Sequence, residues 1–283
     1  THPIKEMTAS ITRMSKGYLN QKVSITGSRE FRQMGEAFNV MSEKLEHVDR
    51  ARNEFVSNAS HELKTPLSAM KVLAESLLSM EMDDPAIYRD FLTDINFEID
   101  RLNAIITDLL SMVNLDQDVN AVEIRKEPVE LTSLAKRTIR GLKLLADQKQ
   151  IRVEMFSEET VTVMGDGLKL QQVLSNIIDN GIKYTPEGGR VTVEVYRTPD
   201  YAVMKVSDTG IGIPQEDMAR IFDRFFRVDK ARSRSTGGTG LGLSIANRIV
   251  MMHQGFLRVS SEEGKGTTFY VELPYGNVPE VSD

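Results

Sequence analysis

Eight apolar residues, Tyr88, Leu92, Ile95, Ile99, Leu102, Ile106, Leu109 and Val113, recur in alternating steps of four and three. That period is the seam of a coiled coil, and a helix carrying it must bury one narrow stripe against another helix. Three more stripes precede it. The first is Ile4, Met7, Ile11 and Met14, with Pro3 suited to a first helical turn and Gly17 to a stop. The second is Phe31, Met34, Phe38, Met41, Leu45 and Val48. The third is Val56, Ala59, Leu63, Leu67, Met70, Ala74 and Leu77. Continuing the second stripe would put Arg52, Glu62 and Pro66 on the seam, so the phase slips near Ala59–Leu63, as at a coiled-coil stutter. Asp83-Asp84-Pro85 reads as a turn, with Asp84 as N-cap and Pro85 at the first helical position. The third and fourth stripes are then an antiparallel hairpin. Two helices bury such seams poorly alone, so a homodimer completing a four-helix bundle is expected.

The rest of the chain reads differently. Residues 118–127 are polar and irregular, an expected linker. From 128 the pattern is α+β, with helix candidates over 131–148 and 166–183. Strand alternation marks Val191, Val193, Val195, then 203–206, then Phe269, Val271, Leu273. Glycine breaks fall at 188–189, 210–212, 237–242 and 264–266. The 283 residues are enough for about two domains. The net charge of −6 makes the chain a poor candidate for gripping a nucleic-acid backbone. The absence of Cys removes disulfides, thiol nucleophiles and Cys-ligated metals. No run of about 18 apolar residues is present to span a bilayer. The chain opens on Thr1 rather than Met, and the expectation is a fragment of a longer protein.

His61 stands in Ser-Asn-Ala-Ser-His-Glu-Leu-Lys-Thr-Pro-Leu. Most histidines serve caps or cores. At about 100° per residue this one points away from Ala59 and Leu63, and its helical neighbours Asn58, Thr65 and Ser68 are polar. An outward imidazole, largely neutral near pH 7, can act as a nucleophile. Glu62 could take its proton, although i and i+1 do not share a helix face. Thr65, at i+4, could position a water or a phosphoryl oxygen, or be only a solvated residue. His61-Glu62-Leu63-Lys64-Thr65 falls short of the zinc motif H-E-x-x-H, since Thr65 replaces the second His. His2, His47 and His253 are not at ligand spacing.

Three separated pieces fit a nucleotide. Asn176 and Asn180 are i, i+4, and Lys183 follows Asn180 by three. Amide oxygens suit Mg²⁺ and a lysine suits phosphate, although a polar helix face reads the same way. Asp208-Thr-Gly210-Ile-Gly212-Ile-Pro214 follows a strand. Its carboxylate can accept from an exocyclic amine such as adenine's, or the segment is a tight turn. Gly237-Gly238-Thr239-Gly240-Leu241-Gly242-Leu243-Ser244 opens a helix, where backbone amides favour phosphate. No Gly-Lys-Ser/Thr follows, so it is not a Walker A loop. The basic stretch 228–236 before it reads as a lid over phosphates or as a solvated loop.

In this order, with an outward histidine upstream, the chain resembles the sensor histidine kinases of two-component systems. Residues 55–70 resemble the phospho-acceptor box, 176–184 the N box and 208–214 the first glycine box. Residues 221–227 resemble the F box, 238–243 the second glycine box and 264–269 a third. Residues 1–50 resemble a HAMP relay. The resemblance implies a multidomain chain. Its parts are the relay (1–50), an all-α dimerisation and phosphotransfer hairpin (51–117), a linker (118–127), an α/β-sandwich ATP-binding domain (128–275) and a tail (276–283). It implies that His61 receives the γ-phosphoryl group of ATP, with Glu62 as acid/base and Thr65 serving phosphatase activity. Asn180 would ligate Mg²⁺ with Asn176 close by, Lys183 would contact phosphate, Tyr184 would flank adenine, and Asp208 would read its amine. Gly210 and Gly212 belong to that adenine loop. Gly238, Thr239, Gly240, Leu241 and Gly242 would cradle phosphates, and Arg227 would approach the γ-phosphate. The implied partners are a second copy and a response-regulator receiver domain. The implied location is the cytoplasmic portion of a membrane receptor, anchored by a segment outside this sequence. Rival expectations are an ATPase of the gyrase and Hsp90-like class, or a nucleotide-binding signalling scaffold. The ATPase class carries a Glu where this chain has Asn176, and an amide cannot serve as a general base.

Overall fold

The structure is a computed structural model that describes residues 2–24, 28–79, 85–117, 125–157, 159–228 and 238–275. Two compact units divide the chain, Thr1–Thr65 and Pro66–Asp283. The expected cap Asp84, most of the expected linker and the tail lie outside the described residues.

In the first unit, α1 (His2–Ser15) closes on Gly17, whose φ of 93° is the left-handed conformation that terminates helices. Gly17 and Tyr18 donate backbone bonds to Met14 and Arg13, which satisfies the last carbonyls. The core is small: Met7, Val23 and Phe38, with Met14 and Phe31 against them. Helix α2 (Arg29–Ser79) begins in this unit. It pins the irregular segment 19–23 by side chain. Asn39 accepts from the Val23 amide at 2.9 Å and donates to its carbonyl at 3.0 Å, and Ser42 donates to the Leu19 carbonyl at 2.7 Å. The other seam residues Ile4, Ile11, Met34, Met41, Leu45 and Val48 are 40–63% exposed.

In the second unit, α3 (Pro85–Gln117) begins on the expected proline. Its eight-residue seam is largely uncovered, with Leu92 58%, Ile99 42%, Ile106 41% and Val113 40% exposed. The face it buries is a different one, through Ile105, Met112 and Leu115.

The remainder is two layers. β1 (Glu127–Glu130) pairs antiparallel with β3 (Thr162–Gly165). A five-stranded sheet holds β2 (Arg152–Ser157), β4 (Arg190–Arg197), β5 (Tyr201–Asp208), β6 (Phe256–Glu262) and β7 (Gly266–Pro274). The strand order is β2-β4-β5-β7-β6, parallel only at β2-β4. Helices α4 (Leu131–Gln148), α5 (Gly167–Tyr184) and α6 (Gly242–Met252) pack on the sheet and on one another, and α3 packs on α6. Val191, Val193, Val195, Met204, Val206, Phe269 and Val271 alternate inward to meet Leu174, Ile178, Ile182, Ile245 and Ile249. Each fully buried aliphatic of this kind contributes about 1.5–3 kcal/mol. Asp166 caps α5 by accepting from the Leu168 and Lys169 amides at 3.1 Å.

Candidate functional site: a cleft on α5 and an exposed histidine on α2

A cavity of about 330 Å³ opens in the second unit, within the range of small-ligand sites. One wall is α5. Asn176, Asp179, Asn180 and Lys183 project from it into the cavity, and Tyr184 follows at its end. Asn176 donates its amide N–H to the Gly242 carbonyl at 2.9 Å, which leaves its oxygen as an acceptor and ties α5 to the start of α6. Lys183 pairs with Asp179 at 2.6 Å. Lys149 donates to the Ile182 and Lys183 carbonyls, which caps the C-terminal end of α5 and fixes the turn that carries Tyr184.

The second wall is the loop after β5. Asp208 Oδ1 accepts from the Gly210 amide at 2.8 Å and the Thr267 amide at 3.2 Å. Burial pushes the Asp208 carboxyl above its ordinary range, although both amides pull the other way. Gly210 stands behind the cavity lining. A side chain there would meet Asp208 Oδ1 and the Tyr184 carbonyl at 2.7 Å, so glycine keeps the carboxylate and α5 close. Gly212 lines the cavity at φ 69°, and the Ile211 amide bonds to the Tyr184 carbonyl at 3.2 Å.

The third wall holds Arg227, Gly238, Thr239, Gly240 and Gly242. Gly240 (φ 72°) accepts from the Phe225 amide at 2.9 Å, which locks this loop to the 221–227 segment. Leu241 is fully buried beneath it and serves as N-cap of α6 without a side-chain bond. Among the described residues no side chain caps the first turn of this helix, the arrangement that favours phosphate. Of the basic stretch expected as a lid, residues 229–236 lie outside the described residues, as does Gly237.

Sequence reasoning missed several lining groups. Asp179 sits between two asparagines that carry the stronger signal, and Thr267 directly follows the glycine break at 264–266. Ala104 and Asp108 come from α3 and gave no local signal. Asp108 Oδ2 accepts from the Thr239 hydroxyl at 2.6 Å.

In the first unit His61 is exposed, and Glu62 and Thr65 are partly buried. Thr65 donates its hydroxyl to the His61 carbonyl at 3.1 Å. Its proton is thus committed to the helix, and its oxygen remains an acceptor.

Residues 165–277 match the family model for histidine kinase-, DNA gyrase B- and HSP90-like ATPases. Residues 51–118 match the His Kinase A (phospho-acceptor) domain, and residues 1–47 match the HAMP domain. The chain is 38% identical to the sensor histidine kinase WalK of Bacillus subtilis over 232 residues, 81% of this chain and 38% of that protein. It spans 38–62% of the length of the curated relatives it matches. Among solved structures, ShkA in complex with AMPPNP is 27% identical with a TM-score of 0.58, covering 80% of this chain and 46% of that one. ThkA in complex with the response regulator TrrA is 22% identical with a TM-score of 0.65, covering 82% of this chain and 66% of that one, a likeness of fold. On these matches, with a phospho-acceptor region joined to an ATPase-family α/β domain, the chain belongs to the sensor histidine kinases of two-component systems.

Proposed function

We propose that the chain is an ATP-dependent protein-histidine kinase that phosphorylates His61 and passes the phosphoryl group to an aspartate of a response regulator. The observation that carries this reading is the convergence of Asn180, Lys183, Asp208 and the 238–242 glycines on one cavity, in a chain whose acceptor histidine is solvent-exposed. ShkA, the relative solved with AMPPNP, supports the choice of nucleotide.

In this reading a His61 ring nitrogen attacks the γ-phosphorus. A P–N bond forms, the bond to the bridging oxygen breaks, and ADP leaves with the electron pair. Glu62 takes the ring proton. Positioning and charge neutralisation supply most of the catalysis in phosphoryl transfer. The Asn176 and Asn180 amide oxygens suit Mg²⁺, which when bound would neutralise charge on the phosphates. Lys183 would leave Asp179 for phosphate, Tyr184 would flank adenine, and Asp208 would accept from its amine. Arg227, Gly238, Thr239, Gly240 and Gly242 would surround the polyphosphate, with Gly210, Gly212 and Leu241 holding the loops in shape. Thr65, as an acceptor, would orient the water that hydrolyses the regulator's acyl phosphate. A homodimer and a receiver domain are the proposed partners. Among the described residues no helix is long and apolar enough to cross a membrane, and any anchor is proposed to lie outside them.

Incubation with γ-labelled ATP and Mg²⁺ tests the reading. The expected result is acid-labile label on the protein, absent in His61→Gln while ATP binding persists. Release of free phosphate with unlabelled protein, or label surviving in His61→Gln, would overturn it.

A further inference from the structure

Helix α3 carries two faces with different tasks. One is the exposed seam. The other, Ile105, Met112 and Leu115, is 1–3% exposed, and α3 packs on α6. Two carboxylates flank that buried face. Asp108 accepts from Thr239 at 2.6 Å, and Asp116 pairs with Arg224 at 2.8 Å. Thr239 and Arg224 lie on either side of the Phe225–Gly240 backbone bond, so both contacts hold the loop that forms the cavity's third wall. Asp108 and Ala104 themselves line the cavity.

Charge makes this contact conditional. Asp108 is attracted by Lys183 and repelled by Asp179 across the cavity, and it has left most of its water behind. A polyphosphate entering the cavity needs the same lysine and the same hydroxyl, and it brings several negative charges beside a carboxylate in a site of low dielectric. Two anions cannot both be satisfied there.

Building on the nucleotide-site reading, we propose that the acidic face of α3 is a latch on the cleft, in which Asp108 occupies Thr239 and faces Lys183 so that docked α3 and a nucleoside triphosphate exclude one another. By linkage the coupling is reciprocal: α3 docking weakens nucleotide binding, and nucleotide loosens α3 from α6. Release of the helix would then follow from charging the site. The Asp116–Arg224 pair is half-exposed and contributes little alone; it fixes where along the helix the loop docks.

The test is titration of the full chain with Mg²⁺ and AMPPNP by calorimetry. Asp108→Ala is expected to bind about fivefold to tenfold more tightly than the unaltered chain, the range that roughly 1–1.4 kcal/mol of coupling supplies. An affinity within about twofold of the unaltered chain, or a weaker one, overturns the latch. A second measurement does not depend on deleting the carboxylate. The chain has no Cys, so Asp116→Cys with Arg224→Cys can be bridged by a short bismaleimide without side reactions. The bridged protein is expected to bind AMPPNP at least fivefold more weakly than the same variant unbridged, and equal affinities overturn the latch. If the unaltered chain binds no AMPPNP, the nucleotide reading falls and the latch with it. If the unaltered chain binds and the variants do not differ from it, the latch alone falls.

Discussion

His253 follows α6, and its ring is held at both nitrogens. Nδ1 donates to the Ile249 carbonyl at 2.8 Å and Nε2 accepts from the Asp166 amide at 3.0 Å. A side chain on Gly165 would strike this ring at 2.8 Å, so the glycine is what lets α6 close against the start of α5. Burial holds the imidazole below its ordinary value, with Ile249 and Asp166 opposing more weakly. The unfolded chain protonates at about pH 6.5, so as pH falls below that value the unfolded state takes up a proton that the fold refuses. Stability contributed by neutral His253 is therefore present above that pH and is lost on acidification, by at most about 1.4 kcal/mol per pH unit. Asp208 acts oppositely. Its raised carboxyl favours the folded state below the unfolded carboxylate range and loses that advantage as pH rises. Thermal melts from pH 7.5 to 5 should show a falling midpoint in the unaltered chain and a flatter profile in His253→Gln; parallel profiles would refute the assignment. Asp208→Asn keeps an oxygen for the Gly210 and Thr267 amides but turns an N–H₂ toward the proposed adenine amine. Nucleotide affinity should drop at least about tenfold while the variant still melts cooperatively at pH 7.5, as expected for one lost charged hydrogen bond.

At the scale of elements, the two loops that shape the cleft depend on backbone conformations and on close approaches. At Gly212, φ is 69° and an added Cβ would lie 2.1 Å from the Glu262 carbonyl oxygen. At Gly188, φ is 82° and nothing lies within 4 Å. Gly212→Ala should therefore destabilise the domain by roughly 1–3 kcal/mol or more and abolish tight nucleotide binding, whereas Gly188→Ala meets only the conformational term of about 1 kcal/mol. Denaturant titration of the two variants checks the contrast, and equal losses would show that the close approach is not what matters. These loops were legible in the sequence because glycines announce them, and α4 spans 131–148 as its period predicts because that helix has one apolar face. β1, β2, β3 and β6 were not legible. β1 and β3 are only four residues long, and β6 is an edge strand whose residues alternate between partly buried and exposed. The docking face of α3 stayed hidden for another reason. Ile105, Met112 and Leu115 form a second stripe beside a stronger one, and Asp108 between them reads as solvated until Thr239, 131 residues away, is placed against it.

For the whole molecule, the uncovered seam is the feature that one chain leaves unresolved. Leu92, Ile99, Ile106 and Val113 expose 40–58% of their surface in a regular stripe, far more contiguous apolar surface than scattered exposed side chains produce. The buried side of α3 is occupied within the chain, so the seam is the face we propose for a second copy. Seam packing between helices needs each apolar layer to be desolvated, and one lysine in a layer leaves a charge without a partner. The unaltered chain, at 31.8 kDa, should elute with light-scattering mass twice that value. Leu92→Lys with Ile99→Lys should elute at the single-chain mass, keep its helical circular dichroism and keep its AMPPNP affinity, because neither residue lines the cleft. Leu144→Lys, which is 71% exposed on α4 and away from the seam, should leave the mass doubled. A doubled mass in the seam variant would show that the copies meet elsewhere. A lost AMPPNP affinity in a well-folded monomer would show that the cleft is coupled to dimerisation through α3, which carries both faces.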